Sequence, residues 1–202
     1  MPTPGRGAAK AFIFDLDGTL TLPQLDFASI RAEMGITDGP ILEELEALAP
    51  SQEEAARKVL EAHEEKAAIT STLQPGAREL LDELRRRNIP TAILTRNSRR
   101  SLDTVIKKHR LQVNETLSRE EAPVKPSPEP VLLLCDRLGT EPANTLVTGD
   151  YIFDIESANR AGAISVLLLN QNNSRFSEEA DLKIVHLREI LDFPQARPEK
   201  SP

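Results

Sequence analysis

The chain has one cysteine, no tryptophan and one tyrosine in 202 residues. A single thiol excludes an intramolecular disulfide. Cys135 has Val131, Leu134 and Leu138 at helical spacing, so it reads as a packing side chain rather than a nucleophile. Aromatic residues make up 3% of the chain, which leaves a core built mainly from aliphatic side chains. No apolar run reaches the ~20 residues of a membrane span. The first residues, MPTPGRGAAK, lack the apolar centre of a secretory signal. A cytoplasmic protein without a membrane partner is therefore expected. The three histidines, His63, His109 and His186, match no motif and read as surface or packing residues. Positive charge is also short: the net charge of -7 argues against nonspecific nucleic-acid binding as the main task. A hydrophobic content of 39% and a charged content of 28% are ordinary for a globular chain. Met1 to Gly7 and Pro194 to Pro202 are expected to be mobile ends.

What is present centres on Lys10 to Leu20, KAFIFDLDGTL. Ala11, Phe12, Ile13 and Phe14 form a short continuous apolar run, as in a strand buried on both faces of a parallel sheet. It ends in Asp15, Leu16, Asp17, Gly18, Thr19. Two carboxylates at a strand tip are costly without a partner or a task. Gly18 lets the chain turn through backbone geometry that other residues resist. Ligands of open α/β sheets bind at the carboxyl ends of strands. One such carboxylate can be a nucleophile, the other a general acid and base, and both can help hold a hard cation. A helix cap or turn is the competing reading of this motif.

Thr21 to Leu73 changes character, being rich in Ala, Glu and Leu. Asp26 is expected to cap a helix over Phe27, Ile30 and Met34 that ends near Gly35. Ile41, Leu42, Leu45 and Leu48 mark a second helical face. Ser51 with Glu54 is a capping-box pattern opening a third helix that runs to about Ile69. Pro75 suits the start of the next helix, which carries Leu80, Leu81 and Leu84, with Arg85, Arg86 and Arg87 at its carboxyl end. Ile89 to Leu94 is a second strand, ending in Thr95, Arg96, Asn97, Ser98. Either Arg96 or Asn97 is placed to touch substrate, with helix capping as the alternative for Asn97. Ser98 to Arg110 is helical, and Val113 to Leu117 is a short third strand. In Val124-Lys125-Pro126-Ser127-Pro128, prolines hold Lys125 in a restricted loop, and Ser127 is placed to cap the following helix. Asn144 to Thr148 is a fourth strand ending in Gly149-Asp150. Asp154 falls in the loop or helix that follows, and Ala163 to Leu169 is a fifth strand. One further helix is expected near Leu187 to Leu191.

Strands alternating with helices predict an α/β protein with a parallel sheet and right-handed crossovers. All the polar strand tips then share one edge, where Asp15, Asp17, Thr95, Lys125, Asp150 and Asp154 converge. In these segments the chain resembles the haloacid dehalogenase superfamily. It is similar to the phosphatase branch with a helical cap after the first strand, the phosphoglycolate phosphatase-like subfamily IA. The matches are FDLDGT at Phe14 to Thr19, LTRN at Leu94 to Asn97, VKPSP at Val124 to Pro128, and GDYIFDIESANRAG at Gly149 to Gly162.

The resemblance implies a Rossmann-like parallel sheet of order 5-4-1-2-3. A core domain at residues 8–21 and 74–193 would be interrupted by a helical cap domain at 22–73. It implies a phosphoric monoester hydrolase working through an aspartyl phosphate on a small phosphomonoester. Asp15 would be the nucleophile, Asp17 the general acid and base, and Lys125 a third catalytic group. Thr95 and Lys125 would bind the phosphoryl group, with Arg96 and Asn97 as further candidates. Mg2+ would be held by Asp15, the backbone carbonyl of Asp17, Asp150 and Asp154. With three of these carboxylates ionised and a phosphate dianion bound, five negative charges would meet in one pocket; a divalent cation and Lys125 reduce the excess to two. Gln24, Arg31 and Arg57 are candidates for contacts from the cap. A phosphomutase of the beta-phosphoglucomutase type shares these motifs, and a non-catalytic interaction protein on the same fold is the third reading. The sequence sets no oligomeric state.

Overall fold

The structure is a computed structural model, and it describes residues 9–193. The ends expected to be mobile, 1–7 and 194–202, lie outside the described residues. Every residue of β1 (Ala11–Phe14), β2 (Thr91–Leu94), β4 (Thr145–Gly149) and β5 (Ile164–Leu168) is buried. β3 (Glu115–Leu117) and β6 (Leu182–Ile184) are shorter and only partly covered. The six strands form one parallel sheet in the order β3-β2-β1-β4-β5-β6. The expected 5-4-1-2-3 order is thus present, extended by β6. That strand was not anticipated, because Leu182-Lys183-Ile184 is too short to carry a strand pattern.

Helices cover both faces of the sheet. α4 (Ala77–Arg86) and α5 (Arg99–His109) place Leu80, Leu81, Leu84, Leu102 and Val105 against one face. Leu187 and Ile190, from a 3-10 segment at Leu187–Asp192, join the same cluster. α6 (Glu129–Arg137) and α7 (Ile152–Ala161) cover the other face through Val131, Leu134, Cys135, Ala158 and Ala161. Cys135 is therefore a buried packing residue, as its spacing implied.

Between β1 and α4 lie three helices with their own apolar cluster: α1 (Phe27–Met34), α2 (Ile41–Glu46) and α3 (Pro50–Thr70). Ile30, Met34, Ile41, Leu42, Leu45, Ala56 and Leu60 form that cluster, and Val124 packs against it from the loop beside Lys125. The two linkers of this insertion run side by side, with Leu22 N–H donating to Thr72 O and Gln74 N–H to Leu20 O, both at 2.9 Å. α3 is also fastened to α5. Lys108 Nζ donates to the carbonyls of Ile69 at 2.7 Å and Ser71 at 2.6 Å, and the Ser71 hydroxyl meets His109 Nε2 at 2.8 Å.

Several helix starts differ from expectation. Asp26 caps α1 through the N–H groups of Ala28 and Ser29, and Gly35 ends that helix in the left-handed region at φ 72°. Ser51, however, is not a cap: Ala49 occupies that position, and Pro50 takes the first turn, where a missing N–H costs nothing. α4 begins at Ala77 after a left-handed Gly76, two residues beyond Pro75. Ser98 rather than Asn97 caps α5, accepting from Ser101 N–H. Ser127 accepts from Glu129 N–H at 3.3 Å, but Pro128 holds the cap position of α6.

Candidate active site

The sheet register positions the site. Phe14 pairs with Ile93 of β2 and Thr148 of β4. Asp15 lies one residue beyond that level, and Thr95 and Asp150 two residues beyond it. Asp15 N–H still donates to Thr148 O at 2.9 Å, so the nucleophile candidate is fixed by the end of the sheet itself. The chain then turns tightly: Leu16 O accepts from the N–H groups of Leu20 and Thr21, both at 2.9 Å, and Gly18 takes φ 87°. A side chain at Gly18 would also meet Asp150, with its Cβ 2.5 Å from Oδ2. Glycine is needed there for both backbone and space.

Lys125 is the hub. Its side chain is 3% exposed. Nζ donates to Asp15 Oδ1 at 2.6 Å, Asp154 Oδ1 at 2.5 Å and Leu94 O at 2.9 Å. All three ammonium donors are thereby used, two of them on carboxylates. These partners raise the Lys125 pKa against the opposing effect of burial, so the group keeps its proton. Its loop is held from α7, where Ser157 Oγ donates to Ser127 O at 2.6 Å and Arg160 to Pro126 O at 3.1 Å. Asp154 sits in the first turn of α7, nearly fully buried. Its other oxygen, Oδ2, accepts from Tyr151 N–H at 3.1 Å. It thus caps its own helix and faces Lys125 at once.

Asp15, Asp150 and Asp154 each offer an oxygen within 4.8 Å of the other two. Three hard oxygen donors at that spacing fit Mg2+ or a similar divalent cation. Burial and crowding raise two of these carboxyls, Asp15 and Asp150, an effect that a bound cation would reverse. Burial pushes Asp150 up to about 8, with Asp15, Asp154 and Asp17 adding repulsion. Burial likewise carries Asp15 to about 7, although Lys125 pulls it down. Asp17 rises to about 6, again through burial, against hydrogen bonds from the Gln24 and Leu25 backbone and from Thr21. A carboxyl with a pKa close to neutral can both give and take a proton.

The remaining expected residues divide. Thr95 lies at the tip of β2, 4% exposed, with its Oγ1 accepting from Asn97 N–H at 3.1 Å. Arg96 turns away from the carboxylates. Its guanidinium donates to Lys125 O and to Glu43 of α2, the latter at 2.6 Å, and lies 4.4 Å over the Phe153 ring. It joins α2 to the lysine loop. Gln24 pairs with Thr70, its Nε2 donating to the carbonyl at 3.2 Å and its Oε1 accepting from Oγ1 at 2.6 Å, so its side chain joins the first linker to the end of α3. Arg57 pairs with Glu53 on its own helix at 2.6 Å, and Arg31 lies half-buried in the last turn of α1.

Two asparagines were missed. Asn170 Nδ2 donates to Asp150 Oδ2 at 3.1 Å. Asn173 Nδ2 donates to the carbonyls of Asp150 and Leu168, both at 2.8 Å. Asn170 follows the apolar run of β5 just as Asp15 follows that of β1, so the strand-tip signal was available. Glu64 and Arg119 were missed as well, and no local pattern marks them.

A parallel α/β sheet with an acidic cluster and a buried lysine at its carboxyl edge offers a place for a hard cation and an anionic group. Residues 9–162 match the model of the haloacid dehalogenase-like hydrolase family, and the chain belongs to that family. It is 31% identical to an uncharacterized hydrolase of Saccharomyces cerevisiae over 92% of this chain and 91% of that protein. It is 28% identical to an N-acetylmuramic acid 6-phosphate phosphatase of Pseudomonas aeruginosa over 91% of this chain and 93% of that one. The crystal structure of a hydrolase from Pseudomonas syringae superposes with a TM-score of 0.79 at 24% identity, covering 91% of this chain and 98% of that one. Among the described residues no helix is long and apolar enough to cross a membrane.

Proposed function

We propose that the protein is a Mg2+-dependent phosphatase that hydrolyses a small phosphomonoester through an aspartyl phosphate on Asp15. The observation that carries this reading is the Lys125 ammonium between Asp15 and Asp154, with Asp150 close enough for the three carboxylates to share one cation. A phosphatase among the relatives supports the same chemistry. A bound divalent cation would neutralise the carboxylates and the phosphoryl oxygens as charge develops.

The residues of the chain do the rest. Lys125 keeps the Asp15 carboxylate oriented and its charge balanced. An Asp15 oxygen forms a bond to phosphorus while the ester P–O bond breaks. Asp17, whose carboxyl burial raises to about 6, gives its proton to the departing oxygen. The Asp17 carboxylate then takes a proton from water, whose oxygen attacks phosphorus and releases Asp15 and inorganic phosphate. Thr95, at the neighbouring strand tip, is assigned to the phosphoryl oxygens. Residues 22–73 act as the cap: the backbone of Gln24 and Leu25 grips Asp17 directly, so the acid-base group and the first linker form one unit.

The test is phosphate release from p-nitrophenyl phosphate with Mg2+ present and after exhaustive chelation. Mg2+-dependent release is expected; undiminished release after chelation would refute the metal assignment. Sugar monophosphates primed with a bisphosphate test the alternative, since isomer formation much faster than phosphate release would identify a phosphomutase instead.

A further inference from the structure

A buried ion pair lies between the helical insertion and the catalytic edge. Glu64 of α3 and Arg119, two residues beyond β3, have side chains 3% and 6% exposed and are bonded through Glu64 Oε1 and Arg119 Nη1. Each also holds the loop that follows β2. Glu64 Oε2 accepts from Ser98 N–H at 3.1 Å, Arg119 Nη1 donates to Arg96 O at 3.2 Å, and Arg119 N–H donates to Asn97 O at 3.3 Å. That loop begins at Thr95, the phosphoryl-binding candidate. Glu64 is also near enough to Asp17 for its charge to act on that carboxyl. The pair therefore joins the insertion to the loop that opens at Thr95, and on the phosphatase reading the leaving group lies between that loop and the insertion once phosphorus is at Asp15.

One atom of this pair is unaccounted for. Arg119 Nη2 is buried and has no hydrogen-bond partner among the described residues. Fastening α3 to the core explains Nη1 and both Glu64 oxygens, but not a buried donor left unmade, which is destabilising in itself. We infer that Arg119 is a specificity residue whose free N–H edge takes an uncharged oxygen, a hydroxyl, of the substrate's leaving group, with Glu64 setting its charge. This rests on the phosphatase reading and names its substrate class: a hydroxylated, polyol- or sugar-like phosphomonoester.

Charge decides between a hydroxyl and a carboxylate at this position. Glu64 already neutralises Arg119, so a carboxylate there would be a further buried anion beside Glu64 and the acidic site. A hydroxyl accepts from Nη2 without adding charge. It can also donate to a remaining lone pair of Glu64.

Three primary alkyl phosphates of equal chain length test this: sn-glycerol 3-phosphate, 3-phosphoglycerate and n-propyl phosphate, with p-nitrophenyl phosphate as a common reference. For the unaltered protein, kcat/KM for glycerol phosphate should exceed that for propyl phosphate by about tenfold or more, the value of a hydrogen bond to a charged group, and should exceed that for 3-phosphoglycerate. Arg119→Met should bring the glycerol-to-propyl ratio close to one, and Arg119→Lys should restore part of it. Glu64→Gln leaves the guanidinium unneutralised and should shift preference toward 3-phosphoglycerate. A role confined to holding the fold would lower all rates together and leave these ratios unmoved. Circular dichroism and melting temperature check folding, and if Arg119→Met does not fold, Arg119→Lys and Glu64→Gln carry the test. Hydrolysis of the aryl phosphate with flat alkyl ratios, or a Glu64→Gln ratio that stays in place, would overturn the inference and leave the phosphatase reading standing. No hydrolysis of any of the four would overturn both.

Discussion

Replacing Gly149 by alanine separates the site from the sheet that carries it. Gly149 is the last residue of β4, and a Cβ there would overlap Asp154 at its Cβ, Cγ and Oδ2. A carboxylate alone could rotate away; a clash that includes Asp154 Cβ requires movement of the backbone of α7 or of β4. Overpacking of this kind costs about 1–3 kcal/mol. Moving Asp154 also removes a partner from Lys125 and opens a buried ion pair, which costs about 3–5 kcal/mol when broken outright. A total of about 3–5 kcal/mol is expected, since the pair is displaced rather than deleted. At ~2–4 °C per kcal/mol for a chain of this size, the melting temperature should fall by roughly 6–20 °C. Scanning calorimetry of the metal-free protein measures it, with phosphatase turnover alongside. Gly18→Ala is the comparison. Its Cβ would press on the Asp150 carboxyl group, 2.5 Å from Oδ2 and 2.7 Å from Cγ, so it should lose turnover with a smaller loss of stability. A melting temperature within about 2 °C of the original for Gly149→Ala, with turnover kept within twofold, would refute the packing argument.

Asp15→Asn should abolish turnover, by about a thousandfold or more, because the amide is nearly isosteric but is no anionic nucleophile; near-normal rates with an unchanged circular dichroism spectrum would rule Asp15 out. Asp17→Asn should slow alkyl phosphates far more than aryl phosphates, since only the poor leaving groups need the proton; equal losses on both would remove Asp17 from that role. Without metal, stability should fall as pH rises from about 4 to about 8. Asp15, Asp17 and Asp150 are raised from 3.8 to about 7, 6 and 8, so across that window the folded chain binds more protons than the unfolded one. Urea midpoints at pH 5 and pH 8 measure this, with Mg2+ expected to stabilise more at pH 8, and a flat or rising metal-free profile would contradict it.

The sequence by itself determined the buried strands and their polar ends, but not the edge strand β6. Four apolar runs buried on both faces admit one environment, and the polar residues that follow each run must fall on the same edge of a parallel sheet. Asp15, Asp17, Thr95 and Asp150 were legible for that reason, and Lys125 because prolines stand around it. Asn170 obeys the same rule but carries no charge to mark it. Tertiary structure alone decided what Arg96, Glu64 and Arg119 do. Arg96 follows Thr95 in the chain, yet its guanidinium meets Glu43 of α2, 53 residues away in sequence. Glu64 lies on a helix rich in charged residues, and it is buried where α3 packs across α5. Arg119 and Glu64 are 55 residues apart, and no period or spacing relates them. Hydrophobic periodicity reports which face of an element is covered; it carries no information about which two covered faces meet, and the charges at that seam are set by the meeting.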